Sequence, residues 1–145
     1  MDLARLQATL RRDEGMRLTV YADSRGLPTV GIGHLVRRGE GLTLGAHVTP
    51  QQVEAWFAHD VQQAVFNCQM LFASWQDFPA AVQEVLANMM FNLGASGLAR
   101  FRDLRAAVAR HDWQAAADAM VASAWYHQVG ERSQRLVAAM RSVQA

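Results

Sequence analysis

The chain predicts a mostly helical α+β fold, with a small β-containing lobe near the N-terminus and a larger all-helical lobe joined by one long helix. Three observations carry this. Residues 18–21 and 28–32 are short β-branched and aromatic runs on either side of a glycine-containing turn. From Thr49 an apolar repeat at helical spacing runs for about six turns without a breaker. Beyond Pro79 every apolar repeat has the helical period.

Leu3, Leu6 and Leu10, with Arg5, Arg11 and Arg12 between them, make an amphipathic helix over residues 2–13 that ends near Gly15. Glu14 then sits at a helix C-terminus, where the partial negative charge of the helix end works against an ionised carboxylate. Asp23-Ser24-Arg25-Gly26 is the turn between the two strands. Gly31 and Gly33 alternate with Ile32, the pattern of a backbone that passes close to other atoms or carries a bulge. Residues 36–47, with Gly39, Gly41 and Gly45, form a loop or a third, irregular strand.

Thr49-Pro50-Gln51-Gln52 combines a threonine N-cap, proline at the first helical position and glutamine for a capping box. The helix it opens carries Val53, Trp56, Phe57, Val61, Ala64, Val65, Cys68, Leu71 and Phe72 on one stripe and extends to about residue 73. Ser74 to Pro79 interrupts it. A helix bearing Val82, Val85, Leu86, Met89, Met90 and Leu93 is then terminated by Gly94. Phe101, Leu104 and Val108 mark another, Asp112 caps one starting at Trp113, and Leu136, Val137, Met140 and Val143 give the last. The expected organisation is a single domain over 1–145: a β-containing lobe at 15–48, a connecting helix at 50–73, and a helical lobe at 79–145 packed with the N-terminal helix.

Composition excludes several classes. With 145 residues, 51% of them hydrophobic, the chain can bury a sizeable core, yet no run approaches the roughly 18–20 apolar residues of a membrane span. The N-terminus carries Asp2 and alternating polar residues, so no Sec signal is readable. Cys68 is the sole cysteine, which rules out an intramolecular disulfide and a CxxC site, and its place on the apolar stripe predicts a buried, inert thiol. The five histidines lack metal-ligand spacing, so neither metal nor cofactor is expected. All basic side chains are arginine, and residues 48–97 contain none, while both flanking stretches are net basic. That unevenness suits an anionic polymer at a cleft, whereas nucleic acid is disfavoured by a net charge of +1 and the lack of a basic stripe interleaved with aromatics. No heptad seam or self-complementary edge is evident, so a monomer is expected.

The chemistry-bearing residues cluster early. Glu14 and Asp23, two carboxylates on rigid elements, suit a glycosidic bond, which needs one acid to protonate the leaving oxygen and a second group to manage water. On position alone, Glu14 could equally be a surface carboxylate, Asp23 a turn former and Thr29 an ordinary strand residue. Their surroundings go further. Asp13-Glu14-Gly15, then Arg17-Leu18-Thr19-Val20-Tyr21-Ala22-Asp23, then Pro28-Thr29-Val30-Gly31-Ile32-Gly33-His34-Leu35 resemble the phage-type, T4-like lysozymes. Thr49-Pro50, His59-Asp60-Val61, the run Asn88 to Gly94, and Trp125-Tyr126 followed by Arg132 and Arg135 continue the likeness in the same order over nearly the whole chain.

The resemblance implies a two-lobed lysozyme fold with a cleft between lobes and hydrolysis of the β-1,4 bond between N-acetylmuramic acid and N-acetylglucosamine in bacterial peptidoglycan. It assigns Glu14 as general acid, with Asp23 and Thr29 managing water. It places Leu35, Phe91, Asn88 and Arg132 among the substrate-binding residues, with Arg132 near Glu14; core packing is the competing reading for Leu35 and Phe91, and capping of the backbone for Asn88 and Asn92. Leu104 and Ala119 depart from the pattern, standing near places where T4-like enzymes have polar groups. The family further implies an endolysin held in the host cytoplasm until lysis, reaching the wall through a holin-type lesion. A part of a tail assembly and a non-hydrolytic wall-binding module are the competing readings. For His34 a structural partnership is preferred, with Asp60 as the natural partner.

Overall fold

The computed structural model describes residues 1–144. Among these, one helix leads into three strands and a series of helices follows: α1 (Leu3–Glu14), β1 (Arg17–Ala22), β2 (Pro28–Gly31), β3 (His34–Leu35), α2 (Pro50–Leu71), α3 (Ala80–Ala99), α4 (Arg102–Ala109), α5 (Trp113–Val121), α6 (Ala124–Gln128) and α7 (Glu131–Arg141). This is the α+β, mostly helical class that the periodicities predict. Two compact units emerge, Ala4–Gln63 and a second made of Met1–Leu3 with Ala64–Ala145, so their boundary falls inside α2.

In the first unit, α1 stops where it should. Gly15 takes φ +65° and its N–H donates to Arg11 O at 2.9 Å, the left-handed cap that a residue with a Cβ adopts at a penalty. The three strands form an antiparallel sheet in the order β1-β2-β3. Arg17 pairs with Gly31 and Tyr21 with Thr29, so β1 spends four residue steps where β2 spends two and is bulged between them. Thr29 pairs in turn with Leu35. Residues 36–47 are largely loop, tied back by a bridge between Thr19 and His47. The Thr49 capping box is present in both directions: Gln52 N–H donates to Thr49 Oγ1 at 3.2 Å and Thr49 N–H to Gln52 Oε1 at 2.9 Å. Val20, Val30, Ile32, Val53, Phe57 and Val61 are buried in this unit.

The second unit is helical and denser. Its buried set includes Val82, Leu86, Met89, Met90, Leu104, Val108, Ala116, Met120, Trp125 and Met140. Asp112 caps α5 by accepting from Ala115 N–H at 2.9 Å. Gly94 differs from the expectation: at φ 74°, ψ 170° it breaks the helical path, but α3 resumes and runs on to Ala99. The glycine marks a kink, since the residues after it regain helical dihedrals. Cys68 is fully buried, and desolvation pushes its thiol up to about 12. No helix among the described residues is long and apolar enough to cross a membrane.

Candidate active site

Glu14, Asp23 and Thr29 all lie in the first unit. Glu14 closes α1, and its carboxylate rests on the backbone of Gly33: a Cβ built on that glycine would lie 2.7 Å from Glu14 Oε2 and 2.8 Å from Cδ. Gly33 also holds φ +67°. The glycine therefore meets two demands together, a left-handed backbone and a seat for a carboxylate. Gly31 is the analogous close approach, its would-be Cβ 3.1 Å from Val53 methyls.

The hairpin holds the other two groups through one residue. Asp23 Oδ1 accepts from Arg25 N–H at 2.8 Å and from Leu27 N–H at 2.9 Å, while Leu27 O accepts from Asp23 N–H at 2.9 Å. The Thr29 hydroxyl donates to that same Leu27 carbonyl at 3.0 Å. Asp23 is thus both turn former and candidate catalytic group, with Oδ1 fixed by the turn and Oδ2 3.9 Å from Arg25. Thr29 is 5% exposed, and with its proton committed to Leu27 its remaining hydroxyl valence is that of an acceptor.

Tyr21 belongs to this site without having been assigned a role from sequence. Directly opposed residues of an antiparallel pair share a face, so Tyr21, Thr29 and Leu35 form one row across the three strands. Burial raises the pKa of the Tyr21 phenol, and the charges of Glu14 and Asp23 push the same way against the opposing Arg17. The phenol consequently stays protonated beside both carboxylates. Its signal in the sequence was position: two residues before Asp23 on a strand, hence the same face.

His34 is bracketed. Its Nδ1 lies 2.7 Å from Asp60 Oδ2, its Nε2 lies 3.0 Å from Glu40 Oε2, and its ring stacks on Trp56 at 4.6 Å between centroids. Burial opposes charging the ring, but the hydrogen bonds to Asp60 and Glu40 outweigh it and raise its pKa. Burial likewise disfavours a charged Glu40, yet the Arg37 N–H and His34 outweigh that and lower its pKa. With both ring nitrogens facing carboxylates, the imidazolium form satisfies every partner. The Asp60 partnership was legible from sequence, but Glu40 was not.

The remaining predicted residues are divided between the two units. Leu35 is 44% exposed on β3 of the first unit. Asn88, Phe91 and Arg132 lie in the second, where Arg132 Nε donates to Asn88 Oδ1 at 2.9 Å and both side chains are buried. Phe91 is half-buried on α3. Asn92 Oδ1 accepts from Trp125 Nε1 at 2.8 Å.

A carboxylate at a helix end, with a second carboxylate and a hydroxyl both tied to the backbone of one hairpin residue, has the parts that glycosidic bond hydrolysis requires. The phage lysozyme family model matches residues 11–142, and the chain belongs to that family. It is 32% identical to the pre-baseplate central spike protein Gp5 of Enterobacteria phage T4, an alignment covering 88% of this chain but 26% of the spike protein's length. Probable T4-type lysozyme 2 of Dictyostelium discoideum is 27% identical, with 91% of each chain covered. The endolysin of Salmonella phage P22 is 32% identical over 77% of this chain and 75% of its own.

Proposed function

We propose that the chain is a muramidase that hydrolyses the β-1,4 bond between N-acetylmuramic acid and N-acetylglucosamine in bacterial peptidoglycan. The observation that carries the reading is the seating of Glu14 on Gly33 in the same unit in which Leu27 anchors both Asp23 and Thr29. Glu14 gives its proton to the bridging oxygen as the bond from that oxygen to the anomeric carbon breaks. A water held by Asp23 and Thr29 attacks the anomeric carbon from the opposite face, and Asp23 takes its proton. The Thr29 hydroxyl accepts a hydrogen bond from that water, because its own proton is committed to Leu27. One displacement inverts the anomeric configuration, and it requires carboxyl groups roughly 6.5–9.5 Å apart.

Biologically this is an endolysin, held in the host cytoplasm until a holin-type lesion admits it to the wall, and acting as a monomer without cofactor or metal. Its substrate contacts would include Leu35, Phe91, Asn88 and Arg132. A second reading, a wall-degrading part of a larger tail assembly, is favoured by the alignment with a phage spike protein of which this chain spans 26%. The chemistry is the same in both.

Mass spectrometry of muropeptides released from purified sacculi tests the function. The wild type should release fragments with reducing muramic ends, and Glu14→Gln should release essentially none. Anhydro-muramic ends would indicate a lytic transglycosylase, and undigested sacculi would overturn the reading.

A further inference from the structure

Arg17 does not reach into solvent at random. Its guanidinium carbon lies 4.1 Å from the centroid of the Tyr21 ring, although i and i+4 on a regular strand stand about 13 Å apart. The bulge brings them together, because β1 compresses four residue steps against two of β2. The two extra residues are an even number, so the side-chain alternation is kept and Arg17 falls on the face of Tyr21, Thr29 and Leu35. Leu27, opposite Asp23 at the hairpin end and 37% exposed, shares that face.

Charge gives this placement a consequence. Glu14 and Asp23 would repel an anionic substrate strand, and Arg25 is already engaged by Asp23. Among the described residues Arg17 makes no ion pair, and its side chain is exposed on the face that carries the candidate catalytic groups. A guanidinium held over a ring face can present its N–H edge outward, the geometry with which arginine takes a carboxylate in two parallel hydrogen bonds. The side-chain entropy lost on binding is reduced in advance by the stack.

We propose that Arg17, held on Tyr21, is a specificity-determining residue that binds a free carboxylate of the peptide carried by the glycan strand beside the scissile bond. The proposal rests on the muramidase reading and narrows it, since a neutral amino-sugar polymer would gain nothing from this contact.

The test crosses two substrates with two variants. One preparation of sacculi is divided, and in half of it the free peptide carboxylates are converted to amides. The wild type should favour the untreated material by about three- to tenfold in kcat/KM, the range of an exposed charge-assisted contact. In Arg17→Gln that ratio should collapse to about one, through KM on the untreated substrate. Arg17→Lys, which keeps the charge but not the planar stack, should retain an intermediate ratio. The wild-type ratio should shrink as salt is raised. A preference that survives in Arg17→Gln, or a wild type indifferent to amidation, overturns the proposal while leaving the muramidase reading standing. A wild type that digests neither preparation overturns both.

Discussion

The buried polar groups of the helical unit and the Asp23–Thr29 pair of the sheet unit are held in different ways. In the helical unit, buried polar groups are spent on one another: Arg132 on Asn88, Trp125 on Asn92, Gln83 on the Trp75 carbonyl, and Ser133 on the carbonyls of Tyr126 and Gly130. In the sheet unit, the Leu27 backbone holds one oxygen of Asp23 and the hydroxyl proton of Thr29 and leaves the other Asp23 oxygen and the Thr29 lone pairs uncommitted to backbone. Closed pairs of the first kind rigidify a core, while half-committed groups of the second kind hold a geometry and still accept a substrate or water. Hence the proposed chemistry rests on groups of the sheet unit.

Changing the candidate catalytic groups should separate activity from stability, and the largest effect is expected at Glu14. Glu14→Gln should lower turnover on sacculi by about 10²–10⁴-fold, the contribution of a positioned acid, with a urea midpoint close to wild type. Next comes its seat. Gly33→Ala adds a methyl where Glu14 Oε2 lies 2.7 Å away and should lower kcat by about 10²-fold through displacement of the carboxylate. Gly45→Ala, at φ +86° with open space around it, imposes comparable backbone strain and should keep its kcat. Equal losses in both would mean that strain alone is at work.

The buried hydrogen bond of the helical unit should respond in the reverse sense. Asn88→Ala removes the acceptor of the Arg132 Nε–H and should lower stability by about 1–3 kcal/mol in equilibrium urea unfolding, with a smaller effect on kcat than Gly33→Ala.

The smallest effect concerns pH. His34 has a raised folded-state pKa, so its contribution to stability is complete below the unfolded value of about 6.5 and disappears as pH rises through the folded value. Glu40 has a lowered one, so its contribution is present above its unfolded pKa and lost as pH falls through the folded value. The clamp is therefore strongest in mildly acidic solution. Asp60→Asn should remove about 1–2 kcal/mol near pH 6 and flatten the decline in stability between pH 6 and 8, measured by urea unfolding across that range. An unchanged slope would mean that Asp60 does not set the His34 titration.

How much of this was legible in the sequence follows the range of the forces involved. Local signals sufficed for the Thr49–Gln52 box, the Asp112 cap, the Gly15 stop and the close approach at Gly31 and Gly33, because each is written within a few residues. Helix α6 was missed, since its five residues are too few to show a period, although Ser123 caps it by accepting from Tyr126 N–H. Glu40 was missed because a glycine-rich loop carries no periodicity to say which way a side chain turns. Arg17 escaped notice because its stack on Tyr21 depends on a bulge, a property of strand pairing that neither strand states alone. The Glu14, Asp23 and Thr29 assignment came from the family resemblance, and the arrangement around Leu27 supplies a physical reason for it.

One measurement bears most directly on the claim that Asp23 and Thr29 hold a water opposite the Glu14 proton. Proton NMR of a soluble glycan digest, read before mutarotation, identifies the anomer released first. Inversion by that water predicts the α-anomer; initial release of the β-anomer would make Asp23 a nucleophile and contradict the water-holding role.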